Sequence, residues 1–317
     1  MRAMINKKYS DSPNLEMRSD FPQPSLEPGK VLVSVRSVSL NAADLIMMSG
    51  KPYPIRFMSG LFKPKNQVLG ADIAGVVHSV APDVNHLKPG DAVFGDLSSD
   101  GFGGMAEFVS VPANRLQTLP GGLSFEEAAS LPMAGVTALK ALRDKANVQP
   151  GQRVLIVGAS GGVGTMALQI AAAMGAEVWA VCSTAKVEQV RNLGAVGTID
   201  YKKEDFTESA YAFDAIIDLA AKEPWKKVKR ALKPEGVYVP VAFSLSATLS
   251  TSFGGDKKRI KPLLSNPDVA DLKVLSDYVE NLQLKPVIHQ TFPFEKANEA
   301  IQLLKDGRAF GKVVLSL

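Results

Sequence analysis

Seven residues near the middle of the chain, Gly158-Ala159-Ser160-Gly161-Gly162-Val163-Gly164, have the composition and spacing of a phosphate cradle. Glycines at 161, 162 and 164 carry no Cβ to hold a pyrophosphate away from backbone N–H groups, and the start of a following helix adds partial positive charge. Such a motif is weak alone and strong between a strand and a helix. The flanks supply that context. Val154-Leu155-Ile156-Val157 reads as a buried strand, Thr165 to Met174 as a helix ended by Gly175, and Glu177 to Val181 as the next strand. The chemistry implied is dinucleotide binding, with Ser160, Gly161, Gly162, Val163 and Gly164 around the pyrophosphate.

The residues about 20 positions beyond the glycines decide which dinucleotide fits. An acidic side chain there would hold a free ribose 2′-hydroxyl and repel a 2′-phosphate. This chain has Cys182-Ser183-Thr184-Ala185-Lys186, with no carboxylate before Glu188. Hydroxyl donors and an ammonium suit a 2′-phosphate, so the expected cofactor is NADPH. Ser183 and Thr184 also read as helix N-caps, and Lys186 as a solvated lysine at a helix start.

The elements that must position these residues follow from the pattern on either side. Residues 1–123 read as β-rich, with strands at Val31 to Val35, Ala74 to Val80 and Ala106 to Val111, a turn followed by a strand across Lys88 to Phe94, and a helical stretch only around Ala42 to Met48. Segregated strands of this kind predict a barrel-like domain. From Ser124, an N-cap before an acidic first turn, the texture changes; a helical pattern breaks at Pro132, and strands then alternate with helices. Alternation predicts a doubly wound parallel sheet, with ligands beyond strand ends at Gly158, Cys182, Asp200, Asp218 and Ala242. The tail, with a helix from Asp268 to Leu282 and a last strand from Lys312 to Leu317, is too short for a domain and is expected to complete the first one. The fold class is therefore α/β in two domains, 1–123 with 268–317 and 124–267.

Bulk composition narrows the classes. At 46% hydrophobic and 21% charged, the 317 residues suit a globular chain of two domains. A net charge of +4 does not by itself call for nucleic acid. One cysteine excludes a disulfide framework and a cysteine-rich zinc site, and suits a reducing, cytoplasmic setting. No run has the length of a membrane span, and the start shows no apolar signal segment.

With these residues in place, the chain resembles the zinc-independent quinone oxidoreductase branch of the medium-chain dehydrogenase/reductase family nearly end to end. The resemblance rests on Leu40-Asn41-Ala42-Ala43-Asp44, Gly70 to Gly75, Lys88 to Val93, Ala128 to Ala138, Gly158 to Gly164 and Gly307 to Leu315. It implies a GroES-like catalytic domain, a Rossmann domain and an active site between them. Where zinc-dependent members place a cysteine ligand this chain has Asn41, and their Gly-His-Glu is Gly70-Ala71-Asp72. Asn and Ala do not replace thiolate and imidazole at a catalytic zinc. His78, His86 and His289 offer no ligand spacing and are expected at the surface or in packing. Without a Lewis acid, acceptors already conjugated to a carbonyl, quinones and α,β-unsaturated carbonyls, are favoured over simple ketones.

The resemblance also implies roles. Ser183, Lys186 and Tyr201 match positions that contact the 2′-phosphate, Tyr201 being equally readable as a packing residue at a strand end. Thr137 matches a threonine near the nicotinamide or bonds its own helix; Asn41 is the candidate polar contact to nicotinamide or carbonyl; Lys312 matches a lysine near the cofactor or lies at the surface. Relatives often dimerise near Lys257 to Leu264, so a homodimer is expected. Leu45-Ile46-Met47-Met48 replaces the tyrosine and arginine of typical quinone reductases. Tyr53, Phe57 and Phe62 either cover a hydrophobic acceptor or anchor their loop, and Tyr53 is the candidate proton donor, with solvent as its alternative. A second reading is a cofactor-binding regulatory or interaction protein without turnover. Lys226, Lys227, Lys229 and Arg230, with Lys257, Lys258, Arg259 and Lys261, would then form a basic surface, or else are solvated faces.

Overall fold

Lys30–Ser39, KVLVSVRSVS, is the longest strand because its valines recur with the period of a pleated ribbon, and Val31, Val33 and Val35 are all buried. The computed structural model describes residues 1–208, 212–241, 258–263, 268–282 and 284–317. Contacts divide the chain into two units: Met1–Met133 with Asn266–Asn281 and Lys285–Leu317, and Ala134–Ser265 with Leu282–Leu284.

In the first unit, β1 (Ala3–Ile5) and β2 (Glu16–Arg18) form a small antiparallel pair. The main sheet holds β3 (Lys30–Ser39), β4 (Asp72–Val80), β5 (Ala92–Asp96), β6 (Phe108–Pro112) and β7 (Leu116–Thr118). The C-terminal tail adds β13 (Ile288–Pro293) and β14 (Lys312–Ser316). The strand order is β13-β14-β3-β4-β5-β7, with β6 also on β3. Only β13 and β14 run parallel; the other pairs are antiparallel. Helix α1 (Ala42–Ser49) starts where Asp44 Oδ2 accepts from Asn41 N at 2.8 Å, and stops at Gly50, whose φ of 62° is the left-handed turn that glycine adopts at low cost. A short helix, α2 (Arg56–Ser59), follows a 3-10 turn at Tyr53–Ile55. Helix α3 (Phe125–Ala129) is capped by Ser124 and Glu127. The division between units falls after Met133 and not after residue 123, because α3 packs on β3 and β4.

The second unit is a five-stranded sheet in the order β10-β9-β8-β11-β12, wholly parallel. Its strands are β8 (Arg153–Val157), β9 (Glu177–Cys182), β10 (Gly197–Asp200), β11 (Phe213–Asp218) and β12 (Leu232–Pro240). Pro132 opens helix α4 (Pro132–Lys140), the position where its missing N–H costs nothing. Helices α5 (Gly162–Ala173), α6 (Val187–Asn192) and α7 (Trp225–Ala231) connect the strands. Leu155, Ile156, Val178, Ile199 and Ile216 are fully buried, as a sheet covered on both faces requires. The tail carries α8 (Val269–Leu282) and α9 (Ala297–Lys305). The fold class is thus the expected one, a β-rich GroES-like unit and a Rossmann unit. The strand end expected at Ala242 and the polar stretch after Phe243 lie outside the described residues, as do both ends of the basic piece 257–264. Residues 258–263 make one parallel bridge, Ile260 to Tyr238, and no extended strand.

Candidate active site

The parallel sheet reverses its winding at β8, between β9 and β11, and a cavity of about 640 Å³ opens beyond the carboxyl ends there. Gly158, Ser160, Cys182, Tyr201 and Asp218 line it. The glycine turn is shaped for a close approach. A Cβ on Gly164 would stand 2.4 Å from Gly158 O, so that glycine lets α5 pack against the turn; one on Gly161 would meet nothing nearer than 3.6 Å, so the space beside it is open. Lys186 Nζ reaches Ser160 Oγ at 3.5 Å, which brings the β9–α6 turn to the glycine turn as the cofactor reading requires. Burial pushes the Lys186 ammonium below its ordinary range. Tyr201 is 60% exposed, its backbone N–H held by Cys182 O at 3.2 Å. Packing is not its role.

Two carboxylates at this end, Asp200 and Asp218, are marked by the sequence as strand ends but not as polar groups with partners of their own. Asp200 sits opposite Cys182 in the β10–β9 register, and Thr184 Oγ1 donates to Asp200 Oδ2. The Thr184 hydroxyl thus caps a carboxylate. That hydrogen bond, with the N–H of Lys202, holds the Asp200 carboxyl below its usual range. Asp218 takes the Tyr238 hydroxyl at 2.9 Å and the N–H groups of Ala220 and Ala221, while burial pushes its pKa up.

The first unit holds a second polar cluster. Asn41 is 8% exposed, and its Nδ2 donates to Asp72 Oδ2 at 2.9 Å and Ser39 O at 3.1 Å. Lys312, 3% exposed, donates to Asn41 Oδ1 and lies 3.6 Å from Asp72 Oδ2. Lys312 is therefore not a surface residue. Both amide hydrogens of Asn41 are used, so it retains acceptor capacity only. Asp72 Oδ1 also takes Met133 N–H at 3.1 Å, and Asp44 Oδ1 takes Gly70 N–H at 2.9 Å. Burial raises the Asp72 pKa and lowers that of Lys312, each opposed by the charge of the other. Asp44 is pushed up to about 6, chiefly by burial. The sequence quoted Asp44 and Asp72 only as motif letters, and nothing local marked their shared partner.

The remaining candidates are dispersed. Thr137 is buried on α4, in the second unit. Tyr53 is 65% exposed in the first, and Phe57 and Phe62, at 83% and 89%, do not anchor their loop. His78, His86 and His289 are exposed, with His78 edge-on to Phe108.

Residues 27–121 match the alcohol dehydrogenase GroES-like domain family, and residues 193–315 the zinc-binding dehydrogenase family. The 2-methylene-furan-3-one reductase of Solanum lycopersicum is 33% identical over 332 residues, spanning 99% of this chain and 79% of that protein. The chain belongs to the medium-chain dehydrogenase/reductase family. Within that family, the chloroplastic quinone-oxidoreductase QR1 of Triphysaria versicolor is 32% identical, over 99% of this chain and 98% of its own. The quinone oxidoreductase of Coxiella burnetii superposes with a TM-score of 0.89 at 30% identity, covering 100% of this chain and 99% of the other. Membership in the quinone oxidoreductase branch accords with the open cavity beyond β8 and β9 and with the glycine turn of α5.

Proposed function

We propose that this chain reduces quinones or α,β-unsaturated carbonyl compounds with NADPH and without a catalytic metal. The names of its relatives support the acceptor class: a quinone oxidoreductase, a 2-methylene-furan-3-one reductase and an NADPH-dependent alkenal/one oxidoreductase. The observation that carries the reading is the Asn41–Lys312–Asp72 cluster. Zinc would need donor atoms at about 2.0–2.2 Å. Here the Asn41 oxygen and the Asp72 carboxylate face an ammonium in place of a metal ion, and Ala71 offers no donor. These residues do not fit zinc.

The residues of the second unit do fit a dinucleotide. Backbone N–H groups at Gly162 and Val163 would hold the pyrophosphate; Gly161, whose own N–H donates to Gly158 O at 3.1 Å, leaves room for its approach, Gly164 lets α5 pack close, and Ser160 closes the turn toward Lys186. Lys186, Ser183 and Tyr201 would meet a 2′-phosphate; Thr184, tied to Asp200, orders the turn beside them. When bound, the reduced nicotinamide supplies the hydride. Asn41 Oδ1 can accept from an amide N–H but cannot donate to a carbonyl, because both of its hydrogens are taken. Thr137 Oγ1 is the candidate contact on the nicotinamide side. Tyr53, exposed to water, or solvent itself delivers the proton that completes reduction. The reading extends to a cytoplasmic homodimer: the lone cysteine, Cys182, is buried and leaves no internal disulfide to form, and residues 258–263 lie beside β12 through the Ile260–Tyr238 bridge.

Steady-state assays with a panel of quinones, alkenals and cyclic enones, after chelator treatment, test the reading. NADPH consumption that survives chelation and exceeds NADH consumption is expected. Activity lost to chelator and restored by zinc removes the metal-free site; equal use of both cofactors removes the 2′-phosphate assignment; no turnover with any acceptor removes the reductase.

A further inference from the structure

Residues 51–65, KPYPIRFMSGLFKPK, hold half of the ten large hydrophobic side chains exposed among the described residues. Phe57, Met58 and Phe62 are each more than four-fifths exposed, and Tyr53 and Leu61 more than half. A single apolar side chain in water needs no explanation, but a contiguous cluster of this size does.

The loop is nevertheless built and held. Tyr9 Oη donates to Gly60 O at 2.6 Å and lies 2.8 Å from Ser59 Oγ, and Lys65 N donates to Ser59 O at 2.7 Å. The Arg56 guanidinium lies 4.4 Å from the Tyr9 ring and 5.0 Å from the Tyr53 ring, and donates to Gly50 O at 3.0 Å. Gly60, with φ of 115°, has no room for a Cβ, which would stand 2.1 Å from Lys63 O. Ser59 and Pro64 are buried where the loop meets its unit. The exposed side chains are thus presented by an ordered base.

Charge selects the partner. Lys51, Arg56, Lys63 and Lys65 lie in the loop, and the sequence from Leu45 to Ala71 contains no Asp or Glu. Lys51 pairs with Asp11, whereas Lys63 and Lys65 are exposed. We propose that residues 51–65 seat the protein on an anionic lipid surface, with Phe57, Met58, Leu61 and Phe62 entering the headgroup boundary and Lys63 and Lys65 meeting lipid phosphates. Apolar depth with a cationic rim is what such a surface rewards. No helix among the described residues is long and apolar enough to cross a membrane, so the contact is peripheral. The net charge of +4 adds long-range attraction. This inference does not depend on the reductase reading.

Co-sedimentation of the full chain with vesicles of phosphatidylcholine, or of equimolar phosphatidylcholine and phosphatidylglycerol, tests it. Binding to the anionic vesicles alone is expected, weakening as salt rises. Phe57→Ser/Phe62→Ser and, separately, Lys63→Glu/Lys65→Glu are each expected to lower the partition coefficient at least about tenfold, with thermal melting confirming that both variants fold. Absence of wild-type binding at low salt overturns the proposal. So does undiminished binding of both variants, which would locate the contact elsewhere. Two further results overturn it while vesicle binding stays intact: a change in oligomeric state, which makes the loop a contact between copies, or a raised KM for apolar acceptors, which makes it a cover for the substrate.

Discussion

Lys312 Nζ donates to Asn41 Oδ1 at 2.5 Å, joining β14 to the start of α1 across 271 positions of sequence. The bond sits in a buried cluster whose other charges, Asp72 and Asp44, depend on the same ammonium for compensation. Replacing the lysine leaves carboxylates buried without a counter-charge, which costs far more than the pair itself contributes. Lys312→Met is expected to lower unfolding free energy by about 3–5 kcal/mol in urea denaturation. Asp72→Asn in the same background should recover part of that loss. Strictly additive losses in this double-mutant cycle would show that the two side chains are not coupled.

The two glycines of the turn separate packing from binding. Ala at 164 would place its Cβ 2.4 Å from Gly158 O and 2.6 Å from Ala159, both backbone, so the helix must shift. Gly164→Ala is expected to cost about 1–3 kcal/mol in stability and to weaken NADPH binding as well. Gly161→Ala meets only ordinary contacts in the protein and should melt like the wild type. Its methyl group nevertheless stands where a pyrophosphate would approach, so fluorescence titration should show NADPH affinity reduced about tenfold or more. Equal melting temperatures for the two variants would contradict the packing role of Gly164.

The proposed preference for NADPH rests on the charge at the β9–α6 turn. Lys186 spans to Ser160, next to the glycines, and burial lowers its pKa, a cost that an anionic partner would offset. Lys186→Ala is expected to raise the Kd for NADPH about tenfold or more while leaving NADH within about twofold. Loss of both affinities together would make Lys186 a support for the turn and not a reader of the phosphate.

How far the sequence reached depends on the distance over which each signal acts. The unit from Arg153 to Cys182 was legible because its strand, turn and helix are all specified by neighbours: an apolar run, glycines, then a helical stripe. The β1–β2 pair was not, since Ala3–Ile5 and Glu16–Arg18 are three residues each and β2 is wholly exposed, leaving no alternation to read. The same limit governs the site. Ser160 and Lys186 were found through motif spacing, but the approach of Asp200 to Thr184 exists only through the parallel register of β10 on β9. The meeting of Lys312 with Asn41 requires β14 to lie beside β3, a pairing that neither segment encodes alone.

Asp44 gives the first unit a measurable pH dependence. Its carboxyl is buried, and burial raises its pKa to about 6 even though the N–H groups of Asn41 and Gly70 and the charge of Lys312 favour the ionised form. An unfolded aspartate titrates near 3.9, so the folded state binds the proton more tightly. The stabilisation from this group is therefore complete below about pH 4, declines as pH rises, and is lost once pH passes through about 6. The full span is about 3 kcal/mol. Asp44→Asn removes the titration and adds a constant cost, because the amide cannot accept from both N–H groups. Denaturation of both proteins between pH 4 and 7.5 should give a stability difference that shrinks up to about pH 6 and is then flat. A difference independent of pH throughout would mean that Asp44 titrates as though solvated, and that the ammonium of Lys312 outweighs its burial.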